Sequence, residues 1–329
     1  MFRTESEFVR WLARKAPGSG GRLRLGIGDD AALVEVARGQ SLILTTDLSI
    51  EDVHFTRRLH PPRAIGHRAL ARSLSDIAAM GGTPRYALVS LAIPRGTSRA
   101  WMDQVYAGML ALARRFAVKL IGVDTARAPA QAMLDVVVAG EVPRGRELLR
   151  SGARPGDRIF VSGRLGLSAL GLRLLRTKRR GTARRAPTEA IAKAAMQAHL
   201  FPEPQCALGR FLSSHGLASA LMDISDGLSS DLARLCEASG VGARLWRERI
   251  PGVNLEDAEA SLRLALHGGE DYQLLFTVPP RKLSRLPAKF GSLPLHLIGQ
   301  IRKGRGMRLE RAEGETEPLQ PGGWDCFRK

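Results

Sequence analysis

Carboxylates next to glycine, serine or threonine recur along this chain where strands should end and turns should begin. They stand in the motifs GIGDD, TTD, LSD, GVDT, DISDG and GGED, as Asp29, Asp30, Asp47, Asp76, Asp124, Asp223, Asp226, Glu270 and Asp271. An unpaired charge beside a hydrophobic core is costly, so we expect a positive group to meet these side chains. Oxygen ligands suit Mg²⁺, which keeps coordination positions for phosphate oxygens when only one or two carboxylates bind it. The pattern predicts a magnesium site that recruits phosphate.

Each of these carboxylates also has a structural explanation when it is taken alone. Asp226 stands before Gly227 and could cap the helix that follows, and Asp30 could be an ordinary turn residue. Taken together, the carboxylates favour a shared metal site. No cluster of histidine and cysteine residues in the sequence competes for a softer metal.

Two common phosphate-binding loops are excluded. Residues 26–31 fit the G-x-G-x-x-A pattern, but a dinucleotide-binding turn must open a helix, and the AALVEV that follows is typical of a strand. A Walker A loop needs a Gly-Lys pair, and the sequence contains none. If the protein binds a nucleotide, it does so by another route.

Strands and helices alternate along the chain, which indicates an α/β (α+β) fold. The periodicity predicts helices at about 6–15, 61–82 and 99–118, and strands at about 31–36, 41–47, 85–94, 119–129, 132–143 and 158–162. It also predicts a strand, a turn and a helix within residues 220–240, the helix over 228–238, and a turn followed by a strand within residues 265–279. Glycine and proline cluster over residues 145–156, which is typical of a boundary. We therefore predict two domains, 1–148 and 149–329.

The composition indicates a globular protein of the reducing cytoplasm. Hydrophobic residues make up 44% of the 329 residues, enough for a sizeable core. The N-terminus lacks the apolar segment of a secretory signal, and no run approaches the roughly 18 apolar residues that span a membrane. Cys206, Cys236 and Cys326 are far apart and have no CxxC spacing, which argues against a disulfide framework or a zinc ribbon.

The chain is strongly basic, with 50 basic residues against 32 acidic ones and a formal net charge of +18. The densest basic stretch, residues 173–185, contains no aromatic residue, whereas single-strand binders use aromatic stacking as well as charge. We interpret this stretch as an exposed helix end and loop. A nucleic-acid-associated protein remains an alternative, although no base-reading motif supports it.

Six motifs in order, GIGDDAAL, TTDLSIEDVHF, LSDIAAMGG, IGVDT, DISDGLSSDL and GGEDYQLLFTV, resemble those of the thiamine-monophosphate kinase family. The tail GGWDCF extends the resemblance to about residue 327. The resemblance implies the fold of aminoimidazole ribonucleotide synthetase, with an N-terminal domain that binds ATP and Mg²⁺ and dimerises, and a C-terminal domain that completes the nucleotide and substrate site. It implies ATP-dependent phosphorylation of thiamine monophosphate to thiamine diphosphate by a homodimer with several Mg²⁺ ions.

The resemblance also implies roles for individual residues. The implied metal ligands are Asp30, Thr45, Thr46, Asp47, Asp76, Asp124, Asp223 and Asp226. The implied nucleotide contacts are Tyr106, Gly122, Val123, Asp124, Arg150 and Ser225. The implied substrate contacts are His54, Glu270 and Trp324. Three of these residues have plain structural alternatives: Trp324 as a tail aromatic on the core, His54 as a turn histidine and Arg150 as one of many surface arginines.

One residue departs from the family pattern. The family has Gly-Gly-Asp-Thr where this sequence has Gly122-Val123-Asp124-Thr125. If the position needs a positive φ, the β-branched Val123 is strained and weakens the nucleotide site. If φ is negative, valine simply packs under the chain. The two alternatives predict opposite effects of Val123→Gly on ATP binding.

The implied reaction needs little acid–base chemistry. The acceptor is already an anionic phosphate oxygen, so direct in-line transfer of the γ-phosphoryl group requires positioning and charge neutralisation, and no strong protein base. Another ATP-using enzyme of the same fold, with a different substrate, remains the alternative within the superfamily.

Overall fold

The computed structural model describes residues 11, 14–15, 22–25, 33–178 and 187–325. They fold as two compact units. Unit 1 contains the described residues up to Ile77 together with Gly82–Gly145, and unit 2 contains Ala78–Gly81 together with the described residues from Arg146 onward. The predicted helix at 6–15 lies almost wholly outside the described residues.

Unit 1 is a sheet with two long helices. Its elements are β1 (Leu23–Leu25), β2 (Leu33–Val34), β3 (Gln40–Ile50), α1 (Pro62–Ala79), β4 (Thr83–Pro94), α2 (Arg99–Arg115), β5 (Lys119–Ala128) and β6 (Met133–Pro143). β1 and β2 pair with each other, and the other four strands form a sheet in the order β3-β6-β4-β5. β4 and β5 are parallel and joined through α2, whereas β3, β6 and β4 pair antiparallel. The strands and helices predicted for residues 41–143 are confirmed.

The two faces of the unit 1 sheet differ sharply. Along β3, side chains alternate between the faces, so Ile43 and Ser49 are buried while Leu42, Leu44 and Leu48 are exposed. α1 packs on the buried face, where the Ser73 hydroxyl donates to the Val136 carbonyl at 2.8 Å. The chain thus presents one set of β3 side chains to α1 and leaves the alternate set open.

Unit 2 is built on a larger mixed sheet. Its helices are α3 (Leu167–Lys178), α4 (Glu189–Leu200), α5 (Cys206–Ser214), α6 (Leu228–Ser239) and α7 (Ala258–His267). Its strands are β7 (Arg158–Ser162), β8 (Ala220–Ile224), β9 (Gly242–Trp246), β10 (Gln273–Val278), β11 (Lys289–Phe290), β12 (Leu293–Arg302), β13 (Met307–Glu310) and β14 (Thr316–Pro318). The sheet order is β14-β13-β9-β12-β7-β10-β8, and β11 pairs with β12. Only the β9–β13 pair is parallel among these described strands.

The centre of the unit 2 sheet is apolar on both faces. Leu274 and Leu275 on β10 are fully buried, and Phe276 stacks on Phe160 of β7 with ring centroids 5.5 Å apart. β8 leads through a short turn, Ser225–Gly227, into α6, whose apolar side packs into the same core. This buried core supports the turn that carries Asp226.

The predicted α/β (α+β) fold class is confirmed, although most strand pairs are antiparallel. None of the helices in the described ranges combines the length and apolar character that crossing a lipid bilayer requires. The basic stretch begins on α3, and residues 179–186 lie outside the described part of the chain.

Candidate active site

Two carboxylates meet on the buried face of the unit 1 sheet. Asp47 lies on β3 and Asp76 on α1, and the Thr45 hydroxyl donates to the Asp76 carboxylate. Thr45 and Asp47 are two residues apart on one strand, so their side chains point to the same face. The strand and helix therefore bring together three of the predicted metal ligands.

The electrostatics of this carboxylate pair suit a divalent cation. Burial and the nearby negative charge of Asp76 raise the pKa of Asp47 to about 7, while Arg72 opposes the shift with its Nη2 3.5 Å from the Asp47 Oδ1. Arg72 does not offset the effects of burial and of Asp76, so the pKa of Asp47 stays raised in this half-buried place. Hard oxygen donors in such a place fit Mg²⁺.

The described residues do not complete a metal site by themselves. No three histidine, cysteine, aspartate or glutamate side chains come together as a metal-binding group within the described ranges. Asp30, a predicted ligand, lies outside them. An ion at Asp47 and Asp76 would need further oxygen ligands, as Mg²⁺ bound by few carboxylates usually does.

Two other predicted ligands lie on the opposite, open face of the same sheet. Thr46 alternates with Thr45 and Asp47, and its hydroxyl donates to Asp135 at 2.6 Å. Asp124 is exposed on the edge strand β5, in the same row across the sheet as Asp135. Within unit 1, neither side chain reaches the carboxylate pair, because side-chain direction alternates along a strand.

The strained-loop hypothesis for Val123 is wrong. Gly122, Val123 and Asp124 all belong to the regular strand β5, where Val123 pairs with Val89 of β4. The φ angle of Val123 is not positive; the described non-glycine residues with positive φ are Asp52, Ala117, Glu270 and Tyr272. Valine is therefore a compatible strand residue here, since β-branched side chains favour extended backbone.

His54, a predicted substrate contact, sits in a tightly bonded loop after β3. Its Nδ1 accepts a hydrogen bond from the Ile50 N–H at 3.1 Å, so the neutral ring carries its proton on Nε2. Glu51 anchors the loop on two sides, by an ion pair with Arg57 at 2.9 Å and by accepting the Ala132 N–H at 2.9 Å. The loop fixes the tautomer and the backbone of His54.

Two predicted nucleotide contacts differ in accessibility. Tyr106 lies in the core of unit 1 at 1% exposure, with its ring edge-to-face against Trp11, and burial raises the pKa of its phenol. A ligand would reach Tyr106 only if this packing opened. Arg150 in unit 2 has an exposed side chain, and its carbonyl accepts the Ser239 hydroxyl at 3.0 Å.

In unit 2, the acidic turn Ser225–Gly227 is organised by Asp231, which sequence reasoning did not single out. One oxygen of this fully buried carboxylate accepts the backbone N–H groups of Ser225, Asp226 and Gly227, at 3.1, 3.1 and 3.0 Å. Burial raises the pKa of Asp231 to about 7 despite these bonds. An acidic residue in the first turn of a helix that follows glycine is the signal that could have found it.

Arg234 links the two carboxylates of this turn. Its Nη1 lies 2.5 Å from Asp226 and 2.7 Å from Asp231. Asp226, a predicted metal ligand, is therefore paired with an arginine here, whereas Asp223 is buried on β8 just before the turn. As in unit 1, two carboxylates share one arginine, but here Asp231 also accepts three backbone N–H groups.

Two predicted substrate contacts are attached to the same turn. The N–H of Glu270 donates to the Ser225 carbonyl at 2.7 Å, and the N–H of Trp324 donates to the Asp226 carbonyl at 3.0 Å. The Trp324 side chain remains 49% exposed. The structure thus attaches the backbones of Glu270 and Trp324 to the turn that carries Asp226, although these residues are up to 98 positions apart in sequence.

Behind Glu270 lies a buried polar layer. His199 Nδ1 is 3.0 Å from the Ser168 hydroxyl and 3.7 Å from a Glu270 oxygen. The neighbouring Asp271 accepts the N–H groups of Gly166 and Ser168 at the start of α3, at 2.6 and 3.1 Å. Burial raises the pKa of Asp271 to about 7. These contacts hold the Glu270 backbone, which has a φ of 65°.

Comparison with known proteins agrees with this arrangement. Residues 28–142 match the AIR synthase related protein N-terminal domain, and residues 154–311 match its C-terminal domain. The chain is 38% identical to thiamine-monophosphate kinase of Salmonella typhimurium, over 84% of this chain and 83% of that protein.

Solved structures give the same picture. The crystal structure of thiamine-monophosphate kinase from Stenotrophomonas maltophilia superposes with a TM-score of 0.80 at 34% identity, covering 92% of this chain and 95% of that one. AaThiL complexed with AMPPCP and TMP superposes with a TM-score of 0.75 at 30% identity and 99% coverage of both chains. The chain belongs to the thiamine-monophosphate kinase family.

Proposed function

We propose that this protein transfers the γ-phosphoryl group of ATP to thiamine monophosphate and so makes thiamine diphosphate. The observation that carries the proposal is the attachment of Glu270 and Trp324 to one turn beside Asp226. A thiazolium cation is attracted by an aromatic face and by a carboxylate, and this turn offers both. Similarity to thiamine-monophosphate kinases, and to AaThiL complexed with AMPPCP and TMP, supports the same reaction.

Acidic residues of both units would bind the Mg²⁺ ions that accompany the nucleotide. In unit 1, Asp47 and Asp76 with Thr45 would hold Mg²⁺, together with Asp30; in unit 2, Asp223 and Asp226 would do so. Bound Mg²⁺ neutralises phosphate charge that otherwise repels an incoming anionic oxygen. Thr46 and Asp124 could bind Mg²⁺ only through their backbone oxygens or on the open face of the sheet, where their side chains lie.

The remaining residues bind and orient the two substrates. Arg150 can clamp a phosphate in bidentate fashion. Ser225 directly precedes Asp226 on the acidic turn of unit 2 and is the other proposed nucleotide contact there. In the proposed substrate contact, the neutral His54 ring would donate a hydrogen bond from Nε2, because its Nδ1 already accepts the Ile50 N–H. No side chain has to remove a proton, since the acceptor oxygen is an anion, and catalysis rests on positioning and electrostatics.

A coupled ATPase assay tests the proposal directly. We expect ATP turnover that depends on thiamine monophosphate and on added Mg²⁺ and disappears in EDTA. Asp226→Asn should lower the rate by orders of magnitude with little change in melting temperature. ATP turnover without any dependence on thiamine monophosphate, and no heat of binding in a titration with it, would instead favour another enzyme of this fold.

We also propose that the protein is a homodimer joined through the open face of the unit 1 sheet. This face carries a patch of exposed leucines, Leu42, Leu44, Leu48 and Leu88, and Leu44 is 65% exposed. Rows of exposed apolar residues on an edge strand favour pairing with another copy. Light scattering should give twice the mass of 35.7 kDa at micromolar concentration.

A charge placed in the leucine patch tests this assembly. Leu44→Lys should shift the mass toward the monomer. The matched control is Val53→Lys, because Val53 is 59% exposed and lies in the loop after β3. A wild-type protein that is monomeric at micromolar concentration would contradict the dimer.

A further inference from the structure

The segment Pro321–Asp325 is bonded to the first turn of α6 by three successive backbone N–H groups. Gly322 donates to the Ser229 hydroxyl at 3.1 Å, Gly323 donates to the Ser230 hydroxyl at 3.0 Å, and Trp324 donates to the Asp226 carbonyl at 3.0 Å. This series is here called the tail latch. It pins the backbone of Trp324 from its N-terminal side while leaving the ring half exposed.

The latch leaves no space between the tail and the turn. A Cβ added to Gly323 would lie 2.1 Å from the Asp226 carbonyl oxygen, and one added to Gly322 would lie 2.6 Å from His267 Nδ1. The first of these neighbours is backbone and cannot move aside. Only glycine allows the tail to approach closely enough for both serine hydroxyls to reach its N–H groups.

The direction of the Ser229 hydroxyl is also set by its neighbours. Its oxygen accepts the Gly322 N–H, and it lies 2.8 Å from His267 Nδ1. A hydroxyl that accepts from the tail can give its own proton to an unprotonated Nδ1. Burial lowers the pKa of His267, which favours the neutral ring that can accept.

We propose that Ser229 and Ser230 are positioning residues for Trp324, and that through it they set the affinity for the cationic ring of thiamine monophosphate. This inference rests on the proposed function, in which Trp324 contacts that substrate. Neither serine touches the substrate itself. Because Glu270 is held by the Ser225 carbonyl of the same turn, the latch fixes the backbone of Trp324 relative to that of Glu270.

The test combines exchange and affinity measurements on Ser229→Ala, Ser230→Ala and the double variant. Hydrogen exchange at Gly322–Trp324 should quicken in each variant, most in the double one. The dissociation constant for thiamine monophosphate should rise by about 2- to 10-fold per hydroxyl, the usual range for one hydrogen bond. The KM for ATP should stay within about twofold, and kcat should change less than the KM for thiamine monophosphate.

Ser213→Ala is the matched control. Ser213 is buried in the same unit at 3% exposure, against 8% for Ser230, and its hydroxyl donates to the Arg146 carbonyl at 2.7 Å. Ser213 takes no part in the hydrogen bonds of the tail latch. Ser213→Ala should therefore lower the melting temperature without changing the affinity for thiamine monophosphate or the hydrogen exchange of the tail. Gly323→Ala should reproduce the double serine variant, because it pushes the tail off the turn.

Separate outcomes overturn the two proposals. Unchanged tail exchange in the double variant, or quickened exchange with unchanged affinity for thiamine monophosphate, contradicts the latch. Equal rises in the KM for both substrates would also contradict it, since they indicate a general structural effect. If the wild-type protein does not bind thiamine monophosphate at all, the proposed function fails, and the inferred role in substrate affinity fails with it while the exchange result still reports on the latch.

Discussion

The acidic groups of the two units use the same residue type for different ends. In unit 1, Asp47 and Asp76 lie close together beside Arg72 and the hydroxyls of Thr45 and Ser73, and the charge of Asp76 helps to raise the pKa of Asp47. In unit 2, Asp231 is saturated by three N–H groups and, with Asp226, shares Arg234. The first arrangement sets one carboxylate against another, whereas in the second the backbone N–H groups fill one oxygen of Asp231.

The difference shows how ligands and framework can be separated among carboxylates that look alike in sequence. A carboxylate with its hydrogen-bonding capacity filled by backbone stabilises a turn, while one facing another carboxylate is poised for a metal. We therefore expect Asp231 to stabilise the framework and Asp47 to bind the proposed metal. The following predictions test this division in order of expected effect.

Asp47→Asn should lower the rate of thiamine diphosphate formation by about 100-fold or more, because it removes a charge that holds the metal. In EDTA its melting temperature should equal or exceed that of the wild type, since the repulsion with Asp76 is gone. Asp103→Asn, at a partly exposed site on α2 paired with Arg99 at 3.9 Å, is the control and should keep the activity. A large loss of stability would assign Asp47 to the framework instead.

Asp231→Ala should behave in the opposite way and lower the free energy of unfolding of unit 2 by about 3 kcal/mol or more, because each backbone N–H group left without an acceptor costs about 1–3 kcal/mol. Three N–H groups of the turn lose their acceptor, while the Arg234 guanidinium keeps Asp226 as a partner. Asp226→Asn, which leaves those N–H bonds in place, should cost far less. Chemical denaturation followed by circular dichroism measures the free energy of unfolding of both variants. Equal losses would contradict the separate roles of Asp231 and Asp226 in this turn.

The pH dependence of stability tests whether Asp271 is a buried carboxylate that stabilises the framework. Burial raises its folded pKa to about 7, above the unfolded value of about 3.9. Its contribution to stability is therefore fully present below about pH 4 and is lost as pH rises through about 7. Asp271→Asn should flatten the fall in melting temperature between pH 5 and 8, whereas Asp257→Asn, at an exposed cap of α7, should leave the slope as it is. An unchanged slope in Asp271→Asn would contradict the raised pKa.

Val123→Gly should have the smallest effect. Val123 lies in the same row across the sheet as Asp47, but in an unstrained strand position. Glycine adds freedom to the unfolded chain, so the free energy of unfolding should fall by about 0.4–1 kcal/mol while the dissociation constant for ATP stays the same. Tighter ATP binding in this variant would restore the idea of a strained nucleotide site.

The sequence alone predicts the strands and helices of unit 1 that carry the motifs. Period-two and helical patterns predicted β3, α1, β4, α2, β5 and β6, because each of these elements buries one regular face. It was also sufficient for the family, since six ordered motifs are specific. The alternation along β3 already implies that Thr46 and Asp47 point to opposite faces, although the family resemblance implies that both bind metal.

Other parts of the site depend on contacts that sequence spacing does not encode. The face on which Asp124 lies depends on the strand register, which shifts between Ala87 and Leu88 where β4 meets β5. The role of Asp231 depends on the path of the turn before it, and the tail latch joins residues 93 positions apart. Such long-range pairings are decided by tertiary packing.

The open leucine patch of unit 1 has a practical consequence for every measurement proposed above. If a second copy covers Leu42, Leu44, Leu48 and Leu88, the folded state and the protomer concentration are linked by mass action. Each tenfold dilution below the dissociation constant then shifts the association by about 1.4 kcal/mol. Melting temperatures taken at micromolar concentration and rates taken at nanomolar concentration would therefore describe different populations of the same protein.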